Sequence, residues 1–546
     1  MNKIQVLDCT LRDGGRIIDC AFPDSDISDM TSRLSDAGID IIEVGFLRND
    51  IDMPYKGNTT FFTDMEQVKP FIPRKTKSDY VIFIDFGMYD FSMLPPCDNF
   101  SITGIRVGFT KNDYRDSFKQ LTETFKLVKE KGYKLFIQDV NTLGYSDKEL
   151  LNVIDMVNDI EPYAFAIVDT YGAMYDDDLI HYYDLLERNL NENICIDFHS
   201  HNNFQLSFSL AQCLLKNCQV NRSLIIDATL DGMGKCAGNL NTELLTDYLN
   251  QKYYKSYDVD ALLDIIDDYL YVLKRTNNWG YSVAAVMAGK FKAHPNNVIY
   301  LTEKYRLSTK DIKYIIQRID AEKRQRYDYE NIRNVYMEYN NCKIDDKNAI
   351  KELKEKFTDK DILLLFPGSS INKYENKIKE FLSVHEKAQI ISINFVSRLG
   401  STNNRIAFFG SEKRYVKWVH EREEENVVCT SNIKNHLDSD IMINYESIVE
   451  HGDINFDNTT VMLFNLLIKC GFFKVYIAGL DGYGIYDTNY YDAGMFGGNR
   501  GGGHDLEEIN KSVAKILEKY KKYGSEKGEI TFLTPSYFEK QIQKDL

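Results

Sequence analysis

Short apolar runs alternate with longer amphipathic segments from the N-terminus to about residue 250. The apolar runs predict eight strands at Ile4–Leu7, Ile39–Val44, Tyr80–Ile84, Ile102–Val107, Lys134–Val140, Tyr163–Val168, Asn193–Phe198 and Ser223–Ala228. The segments between them, such as Asp26–Ala37 and Asp116–Lys131, show helical spacing. Strands separated by helices pair in parallel through right-handed crossovers, so this rhythm predicts an α/β fold of the (β/α)₈ TIM-barrel type. A doubly wound open sheet is the alternative topology.

The pattern changes twice beyond this region. We predict a barrel domain at 1–255, a charged helical extension at 256–350 and a second, Rossmann-like α/β domain at 351–546. In the extension, apolar residues recur at helical spacing. In the last domain, the apolar run ILLLF precedes a PGSS turn and a helical segment. Further strands are predicted there at 388–395, 405–409, 427–430, 441–443 and 474–478.

Composition narrows the class of protein. With 546 residues, of which 43% are apolar, the chain can bury the cores of two or more domains. A formal charge of -16 disfavours nucleic-acid and anionic-membrane surfaces. The ten cysteines form no CxxC pair, and no apolar run approaches the length of a membrane span. We therefore expect a cytoplasmic protein without nucleic-acid partners, and the question of a homo-oligomer stays open.

Polar side chains stand where the predicted barrel strands end, which is where a TIM barrel carries its active site. They are Arg12, Asp13, Glu43, Arg106, Gln138, Asp139, Asp169, Thr170, His199 and His201. Side chains two apart on a strand point the same way, so the HSH stretch puts His199 and His201 on one face. With Asp13 they make a donor set that suits Mn²⁺, Mg²⁺, Co²⁺ or Fe²⁺ and leaves positions open for a substrate. Two ordinary strand-end histidines are the alternative.

Five segments carry a resemblance to a known enzyme family: DCTLRDGG, IIEVGF, VDTYGA, DFHSHNNFQLSFSLA and DGMGKCAGNLNTELL. Over roughly residues 4–300 the chain resembles the metal-dependent HMG-CoA lyase-like, or DRE-TIM metallolyase, superfamily. That superfamily includes hydroxymethylglutaryl-CoA lyase, isopropylmalate synthase and 4-hydroxy-2-oxovalerate aldolase. The HSHNN and GMGKCAGN segments look closer to the aldolase than to the synthases.

The resemblance implies a metal site and a substrate pocket on matching positions. It implies Asp13, His199 and His201 as ligands of one divalent cation, with Asn239 as a further ligand or near neighbour. We add three strand-end residues, Arg106, Asp169 and Thr170, as candidates for substrate binding. The expected cofactor is Mn²⁺ or Mg²⁺, with Co²⁺ as a third choice.

Catalytic roles follow from the same resemblance. Arg12 matches an arginine that stabilises an enolate oxygen, and Glu43 matches a carboxylate that supports the site. The aldolases carry a histidine, proposed as the general base, where this chain has Arg16. Cys236 lies in a glycine-rich loop similar to the one that holds the reactive cysteine of hydroxymethylglutaryl-CoA lyase, so it is a candidate acid or base.

These observations predict a divalent-metal-dependent aldolase or lyase. It would make or break a carbon–carbon bond next to the carbonyl of a 2-oxo acid or hydroxy-oxo acid, through a pyruvate-type enolate. The first alternative is a synthase that condenses an acyl-CoA with a 2-oxo acid. The second alternative is a nucleotide-sugar transferase activity in the C-terminal domain, with the barrel as a binding module.

The PGSS turn is the candidate ligand site of the C-terminal domain. Gly368, Ser369 and Ser370 stand between a buried strand and a helical segment, where backbone N–H groups favour an anion. Together with CGFFKVYIAGLDGYG, the LLLFPGSSI segment is similar to Rossmann-like sialyltransferase-type domains. That resemblance implies a nucleotide or nucleotide-sugar ligand. A turn that only connects a strand to a helix is the alternative.

Overall fold

The structure, a computed structural model, describes residues 4–49, 55–74, 76–98, 101–218, 222–303, 309–340, 343–423, 426–450, 457–483, 503–523 and 528–539. It divides into two compact units. The first comprises residues 1–299 and 320–327, and the second comprises residues 300–319 and 328–546. The helical segment that we predict at 256–350 is therefore shared between the units.

The first unit contains a closed parallel barrel. Its strands are β1 (Ile4–Asp8), β2 (Ile41–Leu47), β3 (Phe61–Phe62), β4 (Asp79–Asp85), β5 (Gly104–Phe109), β6 (Lys134–Asp139), β7 (Ala164–Asp169), β8 (Cys195–Ser200) and β9 (Leu224–Ala228). Within the described residues, eight of these strands form a closed ring, because β1 pairs with both β2 and β9. The short strand β3 lies outside the ring and pairs with β2. All eight strands predicted from the sequence are thus confirmed, and the doubly wound alternative is wrong for this unit.

Side chains alternate between two apolar layers. Leu7, Ile41, Val81 and Phe136 belong to the small core inside the ring. Their strand neighbours, such as Val6 and Ile42, belong to the larger core between the strands and the helices. Because the alternation has a period of two, it also sorts the polar residues near the strand ends into inward-facing and outward-facing groups.

Helices follow the barrel strands and continue into the region beyond them. They are α1 (Asp24–Asp36), α2 (Lys111–Asp116), α3 (Phe118–Glu130), α4 (Asp147–Ile160), α5 (Asp176–Asn189), α6 (Ser207–Asn217), α7 (Thr242–Tyr253), α8 (Val259–Ile265), α9 (Tyr271–Lys274), α10 (Val283–Lys290), α11 (Pro295–Glu303), α12 (Thr309–Arg318), α13 (Ala321–Arg324) and α14 (Tyr329–Asn340). The predicted amphipathic pattern explains them: α3, for example, buries Leu121, Phe125 and Val128, which lie three and four residues apart.

The second unit is built on a parallel sheet. Its strands are β10 (Ile362–Leu365), β11 (Gln389–Ile393), β12 (Arg405–Phe409), β13 (Asn426–Thr430), β14 (Ile441–Ile443), β15 (Lys474–Ala478) and β16 (Glu529–Phe532). Their order across the sheet is β14-β13-β12-β11-β10-β15-β16. The chain moves outward from β10 to β14 and then returns to place β15 on the other side of β10. The predicted second α/β domain is confirmed, whereas the sequence did not predict β16.

The helices of this sheet region are α15 (Lys347–Phe357), α16 (Ser370–Lys373), α17 (Glu375–Val384), α18 (Glu412–Trp418), α19 (Thr459–Cys470) and α20 (Gly503–Lys522). The apolar helix α19 is capped at its start by the Asn458 side chain and ends at Gly471, whose φ of 81° is accessible to glycine at little cost. None of the helices in the described part of the chain combines the length and the apolar character that crossing a membrane requires.

Candidate active site

The loop after β1 brings Arg12 and Asp13 to the barrel mouth. The backbone N–H groups of Arg12 and Asp13 both donate to the carbonyl oxygen of Cys9, at 3.1 and 2.9 Å, so the chain turns sharply as it leaves the strand. Gly15 allows this turn, because a Cβ atom there would lie 2.8 Å from the ring of Phe22. Backbone hydrogen bonds and close packing at Gly15 therefore hold this loop in place.

Asp13 lies between the two histidines of the HSH stretch. Its Oδ2 atom is 3.9 Å from Nε2 of His199 and 3.6 Å from Nε2 of His201. The three ligand atoms all lie within 4.8 Å of one another, which allows them to share one metal ion. The structure thus brings together three residues that the sequence places nearly a whole barrel apart.

The protonation states of Asp13 and His201 favour a bound cation. Burial alone would raise the pKa of Asp13, but the charge of Arg12 holds that pKa well below its usual range. Burial also lowers the pKa of His201 to about 4, against the attraction of Asp13. An ionised carboxylate and a neutral imidazole are the forms that bind metal ions.

Asp227 orients His199. The Nδ1 atom of His199 lies 2.8 Å from Oδ2 of Asp227, so an ionised Asp227 keeps the proton on Nδ1 and leaves the Nε2 lone pair facing Asp13. Cys9, His199 and Asp227 also form a second group of potential ligands. However, burial raises the pKa of the Cys9 thiol well above its usual value, which disfavours the thiolate that a metal needs.

Arg12 is held on two sides and retains a spare donor. Its Nε atom donates to Glu43 at 2.6 Å, and its Nη1 atom donates to Asp13 at 2.7 Å. The guanidinium also lies over the ring of Phe83, 4.5 Å from the ring centroid. Among the described residues, the buried Nη2 atom has no hydrogen-bond partner. The arginine is therefore rigidly placed and can donate to an oxygen of a bound molecule.

Asn239 and Cys236 belong to the glycine-rich loop after β9. Asn239 donates from Nδ2 to Asp13 at 3.1 Å, while its buried Oδ1 atom has no partner among the described residues. Cys236 is half-buried and adopts a φ of 57°. Gly238 allows the loop to close, because a Cβ atom at that position would lie 1.9 Å from the carbonyl oxygen of Gly232. Asn239 thus reaches the metal group, whereas Cys236 is placed three residues away on the same loop.

Arg106 lies inside the barrel. It is completely buried, and its guanidinium pairs with Glu43 at 3.2 Å, Asp197 at 3.0 Å and Asp227 at 2.5 Å. It thereby links the carboxylate that holds Arg12 to the carboxylate that holds His199. Arg106 is therefore connected to the candidate site through the carboxylates of Glu43 and Asp227.

Asp169 and Asp139 take the outward-facing positions of their strands. The carboxylate of Asp169 accepts backbone N–H groups from Ala173 and Met174, and burial raises its pKa to about 6. Burial also raises the pKa of Asp139 well above its usual value. Thr170 follows Asp169, and its buried hydroxyl has no partner among the described residues. The carboxylate of Asp169 is thus already occupied by backbone donors, whereas the Thr170 hydroxyl is still open to a contact.

Arg16 occupies the position of the expected base, and its side chain approaches the carboxylate of Asp13. Its Nε atom is 3.5 Å from Oδ1 of Asp13, and its Nη2 atom is 3.8 Å from Oδ2 of Asp85. Its guanidinium lies 4.5 Å from the centroid of the Phe46 ring. Asp13 is thus flanked by two arginines, each placed over an aromatic ring.

In the C-terminal unit, Asp481 occupies the PGSS turn. The backbone N–H of Ser370 donates to Oδ2 of Asp481 at 2.9 Å, the Ser369 hydroxyl donates to the same atom at 3.3 Å, and the Ser370 hydroxyl also contacts this carboxylate. Gly368 packs so tightly that a Cβ atom would lie 2.2 Å from the carbonyl oxygen of Gly479. The anion at this helix start is therefore a side chain of the protein itself.

Sequence reasoning missed the contribution of Asp197 and Asp227. Both are polar residues in buried strands, two positions before His199 and one position before the end of β9, respectively. The alternation of β8 puts Asp197 on the same face as His199, so its position beside the site could have been predicted from the sequence. The pairing of Asp227 with His199 depends on the register between β8 and β9 and is not visible in either strand alone.

Comparisons with known proteins identify the kind of domain that forms the N-terminal part of the chain. Residues 3–268 match the HMGL-like family model. The N-terminal part of the chain is therefore an HMGL-like domain of the DRE-TIM metallolyase family. This family is enzymatic and divalent-metal-dependent, and it includes aldolases as well as 2-isopropylmalate and homocitrate synthases.

Individual relatives cover about half of the chain. A 4-hydroxy-2-oxovalerate aldolase from Pelotomaculum thermopropionicum is 25% identical over 270 residues, 48% of this chain and 75% of the relative. A 2-isopropylmalate synthase from Saccharolobus solfataricus is 24% identical over 276 residues, 48% of this chain and 68% of the relative. The crystal structure of an HMG-CoA lyase from Brucella melitensis aligns with a TM-score of 0.42 at 15% identity, covering 50% of this chain and 100% of that one.

Proposed function

We propose that the barrel is a divalent-metal-dependent aldolase that makes or breaks a carbon–carbon bond next to the carbonyl of a 2-oxo acid. The observation that carries this proposal is the meeting of Asp13, His199 and His201 beside the open Nη2 atom of Arg12. A cation site next to a fixed guanidinium is the combination that an enolate-forming reaction needs. Relatives named 4-hydroxy-2-oxovalerate aldolase add support for this reaction class.

The residues present fit a divalent cation. Asp13, His199 and His201 would hold it, and the buried, unpartnered Oδ1 atom of Asn239 is a further donor. The mixture of imidazole and oxygen donors suits Mn²⁺, Mg²⁺ or Co²⁺. When bound, such a cation supplies Lewis-acid polarisation of a carbonyl oxygen.

Arg12 provides the stabilisation that the chain itself can supply. An enolate places negative charge on the former carbonyl oxygen, and a donor fixed in advance at that oxygen stabilises the transition state. The contacts with Glu43 and Asp13 hold the guanidinium plane, so Nη2 points in one direction. Glu43 therefore acts as a positioning residue for Arg12, and Arg106 in turn positions Glu43.

Cys236 is our candidate for the group that moves the proton. A guanidinium offers donors and no acceptor, so Arg16 leaves the base position of the aldolases unfilled. Cys236 is half-buried on the loop that also presents Asn239. Tyr171 is a weaker candidate, because burial raises its pKa to about 12. Conversion of Cys236→Ser would lower the rate of proton exchange without changing the metal content if the thiol has this role.

Exchange of the pyruvate methyl protons tests the proposal. We expect the purified protein to exchange these protons with D₂O in an NMR assay, to lose the exchange on chelation and to regain it with Mn²⁺, Mg²⁺ or Co²⁺. His201→Ala should abolish the exchange and lower the metal content. His181→Ala is the matched control, because His181 is an exposed histidine that contacts Asp147 on the outer helices. Exchange that persists after complete demetallation would contradict the proposal.

A synthase that condenses an acyl-CoA with a 2-oxo acid is the second candidate. Relatives named 2-isopropylmalate synthase and homocitrate synthase favour it, since they match a similar span of the chain. Only the synthase releases free coenzyme A. A thiol assay with acetyl-CoA and a panel of 2-oxo acids therefore separates the two reactions, and an aldolase should release no thiol while it cleaves 4-hydroxy-2-oxo acids.

A further inference from the structure

The C-terminal unit contains a cleft at the point where its strand order reverses. The strands β11 and β15 flank β10 on opposite sides and are reached by chain segments that leave in opposite directions. In open parallel sheets, such a switch point leaves a crevice at the carboxyl ends of the strands, and ligands bind there. The cleft lies at this position, because the residues that directly follow β10, β11 and β15 line it: Phe366, Asn394 and Gly479.

Two glycines line the cleft at points where neighbouring segments pack closely. A Cβ atom on Gly479, which has a φ of 77°, would lie 2.0 Å from the carbonyl oxygen of Phe366. Gly482 likewise allows the segment at Tyr537 to approach, since a Cβ atom there would lie 2.6 Å from Cβ of Tyr537. The empty space amounts to about 780 Å³, including the part open to solvent. Glycines at these positions allow the segments around that space to pack closely.

One side of the cleft is polar and carries positive charge. Asn394 donates from Nδ2 to the Thr459 hydroxyl at 2.9 Å and accepts the backbone N–H of Gly410 at 3.3 Å. This places the first turn of α19 beside the end of β11, with Arg414 on the helix that follows Gly410. The first turn of the 12-residue helix α19, at its positive end, and Arg414 thus line the same space.

The other side of the cleft is mainly apolar. It is lined by Ile509 and Val513, which lie four residues apart on α20, together with Phe538. Asn510 ties this side to the sheet, because its side chain pairs with the backbone N–H and carbonyl of Tyr483 at 3.0 and 2.9 Å. A bound molecule would meet cationic and hydroxyl groups on one side and apolar or aromatic groups on the other.

We propose that this cleft binds a phosphate-bearing small molecule with an apolar ring, and that nucleoside phosphates are the class that fits it. The phosphate would lie between Arg414 and the first turn of α19, and the base would lie toward Phe538 and Val513. The cleft adjoins the PGSS turn, because Gly368 and Asp481 also line it, but the donors of that turn already hold Asp481, so the phosphate is placed on the α19 side. The proposal concerns the second unit alone and stands independently of the aldolase proposal.

Calorimetric titration of the full-length protein tests this site. The probes are nucleoside diphosphates of each base, the corresponding unphosphorylated nucleosides and inorganic phosphate. We expect one of the diphosphates to bind, its nucleoside to bind more weakly, and inorganic phosphate to compete with it. Binding of inorganic phosphate with no preference for any nucleotide would overturn the nucleoside part of the proposal.

Two variants separate the site from general damage to the fold. Arg414→Gln should weaken nucleotide binding by about tenfold or more, because it removes a charge-assisted contact to phosphate. Lys413→Gln removes one positive charge from the same helix, but Lys413 is exposed and outside the cleft, so we expect unchanged affinity. Thr460→Glu adds a negative charge at the second position of α19, where glutamate favours the helix.

We expect Thr460→Glu to keep or raise the Tm while it abolishes nucleotide binding. Circular dichroism and thermal unfolding of each variant would verify the fold. Two results would overturn the proposal: wild-type protein that binds no nucleoside phosphate at millimolar concentration, or Thr460→Glu protein that binds as tightly as the wild type.

Discussion

Asp227→Asn is expected to weaken metal binding without unfolding the barrel. One oxygen of Asp227 accepts from both His199, at 2.8 Å, and Arg106, at 2.5 Å, and an asparagine oxygen can keep both contacts. The change instead removes the negative charge that holds the proton on Nδ1 of His199 and leaves its Nε2 atom available to a metal ion. Loss of such a supporting carboxylate typically costs about 10- to 100-fold in metal affinity, or about 1.4 to 2.7 kcal/mol.

The fold should tolerate this change because Asp197 can take over the charge. Burial, and then the neighbouring charge of Asp227, raises the pKa of Asp197 well above its usual value, so Asp197 is protonated beside an ionised Asp227. In Asp227→Asn, the new amide would donate to an ionised Asp197, and Arg106 would still face a carboxylate at 3.0 Å. We therefore expect the free energy of unfolding to change by less than about 1 kcal/mol in the metal-free protein.

The assay is competition for Mn²⁺ against a chelating dye, combined with urea unfolding in EDTA. Asp227→Ala is the contrasting variant, because it leaves His199 and Arg106 without this acceptor and should cost about 3 to 5 kcal/mol of stability. Asp13→Asn, which alters a ligand itself, should lose more metal affinity than Asp227→Asn. Wild-type metal affinity in Asp227→Asn would refute the orienting role of Asp227, and severe unfolding would refute the transfer of charge to Asp197.

Three further outcomes follow from the barrel. Arg12→Lys should lower kcat/KM for 4-hydroxy-2-oxo acids about 100-fold at unchanged metal content, because lysine lacks the planar fork that leaves one donor free; unchanged kinetics would contradict this. Burial raises the pKa of Asp8 to about 6, so the native state favours the protonated acid. The resulting contribution to the free energy of unfolding, about 3 kcal/mol, is fully present below the unfolded-state pKa of 3.8 and is lost as the pH rises through 6. Urea unfolding across this pH range should show that dependence in the wild type and a weaker one in Asp8→Asn. Gly238→Ala should lower both Tm and metal affinity, because its Cβ would lie 1.9 Å from the Gly232 oxygen, whereas Gly280→Ala meets no atom within 4 Å and should lower the Tm less.

Local patterns predicted much of the barrel and part of its site. The eight strand positions followed from apolar runs, since each buried strand is bounded by polar segments. The shared face of His199 and His201 followed from the two-residue period of a strand. Their meeting with Asp13 depended on the barrel fold itself, because closure through the β1–β9 pair is what brings the first strand beside the last ones.

The polarity of a strand residue did not predict how deep in the barrel its side chain lies. Arg106 is a charged residue in an apolar strand, which suggested a position near the mouth, but its carboxylate partners come from three other strands. The predicted contact of Asp169 with substrate stays a prediction, although its carboxylate already accepts two backbone N–H groups. In the second unit, β16 was missed because the segment EITF carries too little apolar character to stand out.

The strand order of the second unit has a consequence for biosynthesis. Strand β10 ends at Leu365, but its partner β15 begins only at Lys474, after four other strands have been made. Until then, the growing chain exposes one edge of an apolar central strand, Ile362–Leu365, and such edges pair readily with other chains. Products that stop before β15 should therefore aggregate, and a chaperone that covers β10 would raise the yield of folded protein.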